Sequence, residues 1–339
     1  MLDAALLARG AETAVRQCLA VGAADRVLVF TDDATLRIGG ALADAARSLG
    51  ATVEVLRLEE LGPRPLTALP EGLEARLRAF GPTVSLFAAQ GRPGEIRFRI
   101  PLGHLLSQEL RTRHGHMIGI DERLMGSGMQ VDYDEVAALT RRVHERLRGA
   151  REIRARNPDG TDLVARFDPD GDVRWVPWTG LLHRQGDWGN LPEGEVFTCP
   201  IAVDGVLTAR LVGDYFARRF GLLETPLRIE LVDGHAVSVQ HPDAELRDAF
   251  WRHLSDARNG TRVGEFAIGT NRGLREATGN LLQDEKMPGL HVAFGDPYGH
   301  FTGAPWSSDI HLDVIPFRID LDVDGAPLLS DGAFVGGAG

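Results

Sequence analysis

The chain has 339 residues, 43% of them apolar and 25% charged, with a net charge of -11. That length supports two domains or one large one with a real core. The acidic balance excludes phosphate-backbone binding as the main activity, because that needs a basic surface. No apolar run approaches the roughly 18 residues of a membrane helix, and the N-terminus has no basic-then-apolar leader layout. The two cysteines, Cys18 and Cys199, are too few for a disulfide framework or a Cys-rich zinc site. The expectation is a cytoplasmic protein that meets small molecules or peptides, with neither nucleic acid nor membrane as a partner.

The first part alternates helix and strand. ARGAETAVRQCLAV has helical spacing, RVLVFTD is a short buried strand, and LRIGGALADAARSLG is a second helix with Gly50 as its C-cap. TVEVLRL and TVSLFAAQG are further strands. This order implies a small parallel sheet with right-handed crossovers. The first turn lacks G-x-G-x-x-G, and the Gly pair in RIGGALADA fits close helix packing better than a phosphate cradle. VDYDEVAALTRRVHERLRGA is an amphipathic helix capped near Asp132, and it closes a first domain over 1–150. His114 and His116, in RTRHGHMIG, have no carboxylate in matching register. They read as surface or hydrogen-bonding residues rather than as a metal pair.

The grammar changes over 151–339. REIRARNPDGTDLVARFD is a hairpin turning at Asp-Gly, and EVFTCPIAVDGVLTARLV and LRIELVDGHAVSVQ repeat the strand-turn-strand form. DAELRDAFWRHLSDA is an isolated helix among the strands RVGEFAIG, LHVAFG, DIHLDVIP and RIDLDVDGAPLLSDG. The fold class is therefore an α/β N-terminal domain with a small parallel sheet, followed by a mostly antiparallel α+β C-terminal domain. The Trp175 and Trp178 pair in DVRWVPWTG reads as core or dimer-interface aromatics.

Several of these strands carry ionisable residues. In SSDIHLDVI, alternation puts Asp309, His311 and Asp313 on one face and Ile310, Leu312 and Val314 on the other. Glu265 stands in an apolar strand, where an unpartnered charge costs several kcal/mol. Glu195 follows a turn, the usual place for a solvated carboxylate, and Glu285 precedes His291. Two imidazoles and four carboxylates suit Zn, Mn, Co or Fe(II). Glu195, Glu265, Glu285 and Asp313 have the charge to balance two divalent ions, the composition of a two-metal hydrolytic centre. This C-terminal half is thus the expected metal-binding domain.

In the same order, NLPEGEVFTCP, GEFAIG, DEKMPGLHVAFG with Tyr298, and IHLDV resemble the thermophilic-metalloprotease family of leucyl-type aminopeptidases. The resemblance implies metal ligation by Glu195, Glu265, Glu285, His291, His311 and Asp313, with Tyr298 at the centre as a ligand or as a phenol polarising the substrate carbonyl. It implies two divalent ions (Zn, Co or Mn), a metalloprotease acting as an aminopeptidase on small peptides or aminoacyl compounds, and a homodimer. Glu265 is the expected proton carrier, with Glu195 second. One departure stands out: DEKMPGLH has one residue more between Glu285 and His291 than the family pattern. The chain also resembles, more distantly, the 2,5-dihydroxypyridine dioxygenases, which imply a single Fe(II) held by two His and a carboxylate, here His291, His311 and Asp313. Those proteins place a His where this chain has Glu265 and lack the counterpart of Glu195. A third alternative is a family member recruited to another metal-dependent reaction on a specialised small molecule.

Overall fold

The computed structural model describes residues 2–336. In chain order its strands are β1 (Arg26–Thr31), β2 (Thr52–Arg57), β3 (Val84–Ala88), β4 (Arg113–His116), β5 (Glu152–Arg156), β6 (Asp162–Arg166), β7 (Val176–Trp178), β8 (Trp188–Asn190), β9 (Glu195–Thr198), β10 (Ala202–Ala209), β11 (Leu211–Val212), β12 (Leu227–Val232), β13 (His235–Gln240), β14 (Val263–Gly269), β15 (Gly289–Gly295), β16 (His311–Ile315), β17 (Asp320–Val323), β18 (Ala326–Ser330) and β19 (Ala333–Phe334). Two compact units divide the chain. The first comprises 1–137 and 180–193, and the second 138–179 and 194–339.

The first unit holds a parallel sheet in the order β2-β1-β3-β4-β8. Strands β1 and β3 are buried almost throughout, as parallel strands covered on both faces must be. Helix Leu36–Ser48 ends at Leu49, and Gly50 follows at φ +86°, the left-handed position that glycine fills without strain. The Gly pair serves packing: a Cβ on Gly39 would lie 2.6 Å from Thr31 Cβ. Asp132 caps the helix Tyr133–Leu147 by accepting from Asp134 N–H at 2.9 Å. His114 and His116 are not at the surface. They sit in a buried chain in which Ser85 Oγ and His114 Nδ1 share a hydrogen bond of 2.8 Å, and His114 Nε2 lies 3.4 Å from His116 Nδ1.

The second unit contains two antiparallel sheets, ordered β13-β12-β10-β6-β5-β17-β18-β19 and β11-β16-β15-β14-β9-β7 among the described residues. One buried cluster joins them. Ile153, Leu163, Val203, Ile229 and Leu321 come from the first sheet, and Phe266, Ile268, Val292, Phe294 and Val314 from the second, with Phe250 and Leu254 of helix Ala244–Ser255. Alternation then commits the remaining residues of the six-stranded sheet to its other face. Asp233 and Gly234, both at positive φ, turn β12 into β13 as the Asp-Gly signal predicts. The same signal at Asp204-Gly205 is no turn. Strand β10 runs straight through it, because Gly205 lets the backbone of β6 come close: a Cβ there would lie 2.3 Å from Asp162 O. The chain changes sheets instead at Cys199–Ile201, between β9 and β10.

Candidate metal centre

The other face of the six-stranded sheet collects the polar residues in rows. Asp313 on β16 is opposite Ala293 on β15, which is opposite Glu265 on β14. His311 faces Gly295. His291 on β15 faces Ala267, which faces Phe197 on β9. Glu195 faces Gly269 on one side and Trp178 of β7 on the other. Directly opposed residues point to the same face, so the small residues Ala267, Gly269, Ala293 and Gly295 leave the space that the long side chains fill. Glu285 comes from outside the sheet, as the C-cap of the short helix Leu281–Asp284.

The predicted residues converge. Three trios of ligand atoms each lie within 4.8 Å of one another: Glu195, Glu265 and His291; Glu265, His311 and Asp313; and Glu285, His291 and Asp313. Glu265 Oε1 is 3.2 Å from His291 Nε2, and Glu265 Oε2 is 3.6 Å from His311 Nε2. Asp313 Oδ1 is also 3.6 Å from His311 Nε2. Glu195, read from its turn as a solvated carboxylate, is only 2% exposed. Asp309 does not join the strand face. It is exposed in the preceding loop, 3.7 Å from Arg258.

Two features of this cluster fit a divalent cation. His311 Nδ1 donates to Asp296 O at 2.8 Å, which turns Nε2 toward the carboxylates, the usual arrangement of a ligating imidazole. Glu195 Oε2 lies 3.3 Å from His291 Nε2, and His291 Nδ1 is buried without a hydrogen-bond partner among the described residues. Oxygen and imidazole donors together form a hard-to-borderline set.

The electrostatics show how strongly the cluster wants positive charge. Burial opposes the imidazolium at His311, but Asp313 and Glu265 outweigh it and push the group up to about 10. The carboxylates Glu195 and Glu265 likewise overcome burial and hold His291 well above the usual histidine range. At Glu285 burial prevails over the neighbouring Lys286, helped by the charges of Asp313 and Glu195, and the carboxyl is pushed up to about 7. Burial and the surrounding carboxylates push the Tyr298 phenol well up, so it keeps its proton.

Tyr298 adopts the left-handed region at φ +48°, a conformation a bulky residue rarely takes, and its ring centre lies 4.4 Å from that of His311. Trp178 is not a plain core residue. Its ring packs 4.8 Å from Phe197 and 6.3 Å from Tyr298 on the face that carries Glu195. His300 is exposed.

One site residue was not singled out from sequence. Lys286 is 1% exposed, and its Nζ donates to Glu195 Oε1 at 2.7 Å and to Glu285 Oε1 at 2.9 Å. A signal for it was present: Lys286 is the only lysine among the chain's 37 basic residues.

Residues 124–323 match the family model of thermophilic metalloproteases (M29), and the chain belongs to that family. It is accordingly a metallo-aminopeptidase-like hydrolase. A comparison with curated proteins gives no match. Among solved structures, AmpT from Thermus thermophilus is 20% identical, with a TM-score of 0.71, over 98% of this chain and 99% of that one. A 2,5-dihydroxypyridine dioxygenase from Pseudomonas putida KT2440 is 18% identical, also with a TM-score of 0.71, over 99% and 98%. The two share the whole-chain fold with this protein. Among the described residues no helix is long and apolar enough to cross a membrane.

Proposed function

We propose that this chain hydrolyses the amide bond of small peptide or aminoacyl substrates at a metal centre held by residues among Glu195, Glu265, Glu285, His291, His311 and Asp313. The observation that carries the reading is their convergence on one sheet face, in trios with ligand atoms within 4.8 Å. A divalent ion held there would supply a water acidified from 15.7 toward about 7 and would polarise the scissile carbonyl. The two-ion count expected from four carboxylates leaves out the ammonium of Lys286, which sits among them.

The chain's own groups do the rest. Glu265 stands between both imidazoles and takes the proton of the attacking water at a carboxylate oxygen, then returns it to the leaving amine. The protonated phenol of Tyr298 donates to the carbonyl oxygen as charge develops there. Asp296 O holds the His311 ring in place through Nδ1. Trp178 and Phe197 form an apolar wall beside Tyr298 that keeps water from that side.

The second reading is the mononuclear Fe(II) dioxygenase, favoured by the whole-length likeness to the Pseudomonas protein. It needs two imidazoles and one carboxylate on one ion. None of the three tight trios among the described residues contains both His291 and His311, which supports the hydrolase.

The experiment is a panel of dipeptides and aminoacyl anilides, assayed before chelation, after it, and after return of Zn, Co or Mn. Hydrolysis that disappears with chelation and returns with one of these metals is expected. Silence across the panel, with oxygen uptake on hydroxylated aromatic rings after loading with Fe(II), would reverse the ranking.

A further inference from the structure

We propose that the ammonium of Lys286 stands in the place of a second metal ion, so that this centre holds one divalent ion, on Glu265, His311 and Asp313. The proposal rests on the hydrolase reading above and fixes the number and position of its metal.

The trios are not equivalent. Lys286 Nζ donates to Glu195 at 2.7 Å and to Glu285 at 2.9 Å. Each of those carboxylates belongs to one of the two trios built on His291. An ion in either trio would share a buried carboxylate with an ammonium at hydrogen-bond distance, where little solvent screens the repulsion. The third trio contains neither of the two carboxylates that the lysine bridges, although the ammonium's charge also reaches Asp313. It also contains His311, whose Nε2 is turned inward by the bond from Nδ1 to Asp296 O.

The fold delivers the lysine deliberately. Gly269, opposite Glu195, has no side chain, and a Cβ there would lie 1.9 Å from Met287 O. The segment carrying Lys286 therefore packs directly on β14, and Asn271 N–H donates to Lys286 O at 2.9 Å. The residue type matters as well. A lysine presents a compact point charge with three donors, whereas arginine presents a planar fork. The chain uses arginine at every one of its other 36 basic positions and lysine only here.

The test is metal stoichiometry, by titration calorimetry and by elemental analysis of metal-saturated protein, with Zn and with Mn, for the full chain and for Lys286→Met. The wild type should take up one ion per chain, and its Mn form should give the electron paramagnetic resonance spectrum of an isolated ion. Lys286→Met should take up a second ion, with the broadened spectrum of a coupled pair. Two ions in the wild type would overturn the proposal and leave the hydrolase reading standing. No ion in the wild type at saturation with either metal would overturn both. One ion in both the wild type and a folded Lys286→Met would overturn the role given to the lysine, and two ions in the wild type overturn the proposal even where the variant does not fold.

Discussion

Glu265 and His291 are diagonal neighbours on adjacent antiparallel strands, with Oε1 3.2 Å from Nε2. The register of β14 against β15 fixes this pair, and the register of β15 against β16 brings Asp313 and His311 to the same face. A one-residue slip of either strand would turn its polar residues into the core between the two sheets. The Glu265 carboxylate is therefore positioned by the sheet itself.

Glu265→Gln keeps the size of the side chain and removes its basic oxygen. Because the same side chain is a proposed ligand, the assay is run at saturating metal, and the expected result is a loss of kcat of about 10²–10⁴-fold, the range for general acid–base groups, with metal content and circular dichroism unchanged. Undiminished turnover in the purified variant would take Glu265 out of the mechanism.

The change from a parallel sheet to antiparallel ones is legible in the sequence, and so are most of the side chains that meet on the six-stranded sheet. Alternation in IHLDV and a lone carboxylate in GEFAIG are signals that a strand cannot hide, because burial of a charge needs a partner. Glu195 was harder to read. Its turn context suggested solvent, and only pairing with β14 and β7 shows it buried. Lys286 lies in a loop after a four-residue helix, where no periodicity reports which way a side chain points. Asp204-Gly205 misled for the opposite reason: a strong local turn signal was overridden by tertiary contact with β6.

Tyr298→Phe removes a proton donor without changing the ring that packs against His311. Loss of one donor to a developing oxyanion costs about 10²–10³ in kcat, and KM should change little. A change confined to KM would instead make Tyr298 a substrate-binding residue.

Gly269→Ala tests the close approach that seats Lys286. A Cβ 1.9 Å from Met287 O forces the backbone of that segment away. Overpacking of this kind costs about 1–3 kcal/mol, so the melting temperature and the hydrolysis rate should fall together. Gly40→Ala is the matched control. It lies inside helix Leu36–Ser48 with nothing within 4 Å of the added Cβ, and relief of backbone entropy should stabilise the protein by roughly 0.5–1 kcal/mol. A tolerated Gly269→Ala would mean that the loop moves without cost.

Arg64, in the first unit, is 1% exposed in its side chain. It donates to Asp32 Oδ2 at 2.7 Å, to Glu95 Oε2 at 2.6 Å and to Gln90 O at 2.6 Å. Burial works against both carboxylates, but Arg64, with backbone N–H donors, outweighs it and holds them below their usual range. Their folded values lie below the unfolded ones, so their contribution is present above about pH 4 and is lost as pH falls through the folded values. Arg64→Met leaves two buried carboxylates uncompensated and should cost about 3–5 kcal/mol at neutral pH. The variant should recover part of that loss as the pH is lowered toward about 5, because protonation then relieves the unpaired charges. Urea denaturation across this range measures both effects, and a variant whose deficit is independent of pH would rule out the electrostatic origin.

His114 gives the widest pH window. Burial alone pushes its imidazole down to about 3, and burial with the neighbouring His114 and Arg99 pushes His116 well down too. Both are therefore neutral in the folded protein, while the unfolded chain takes up protons near pH 6.5. Since the folded values lie below the unfolded one, the stabilising contribution is complete above about pH 6.5 and declines as pH falls toward about 3. Each histidine adds a slope of at most about 1.4 kcal/mol per pH unit. His114→Asn should lower stability at neutral pH, because the shorter amide removes the Nε2 that lies 3.4 Å from His116 Nδ1 and leaves part of the ring's buried space empty, and it should flatten the decline between about pH 6 and about pH 4. The change in slope is the diagnostic quantity, since any disruptive substitution lowers the absolute value. Denaturation curves that run parallel for wild type and variant across that interval would show that His114 is protonated in the folded state after all.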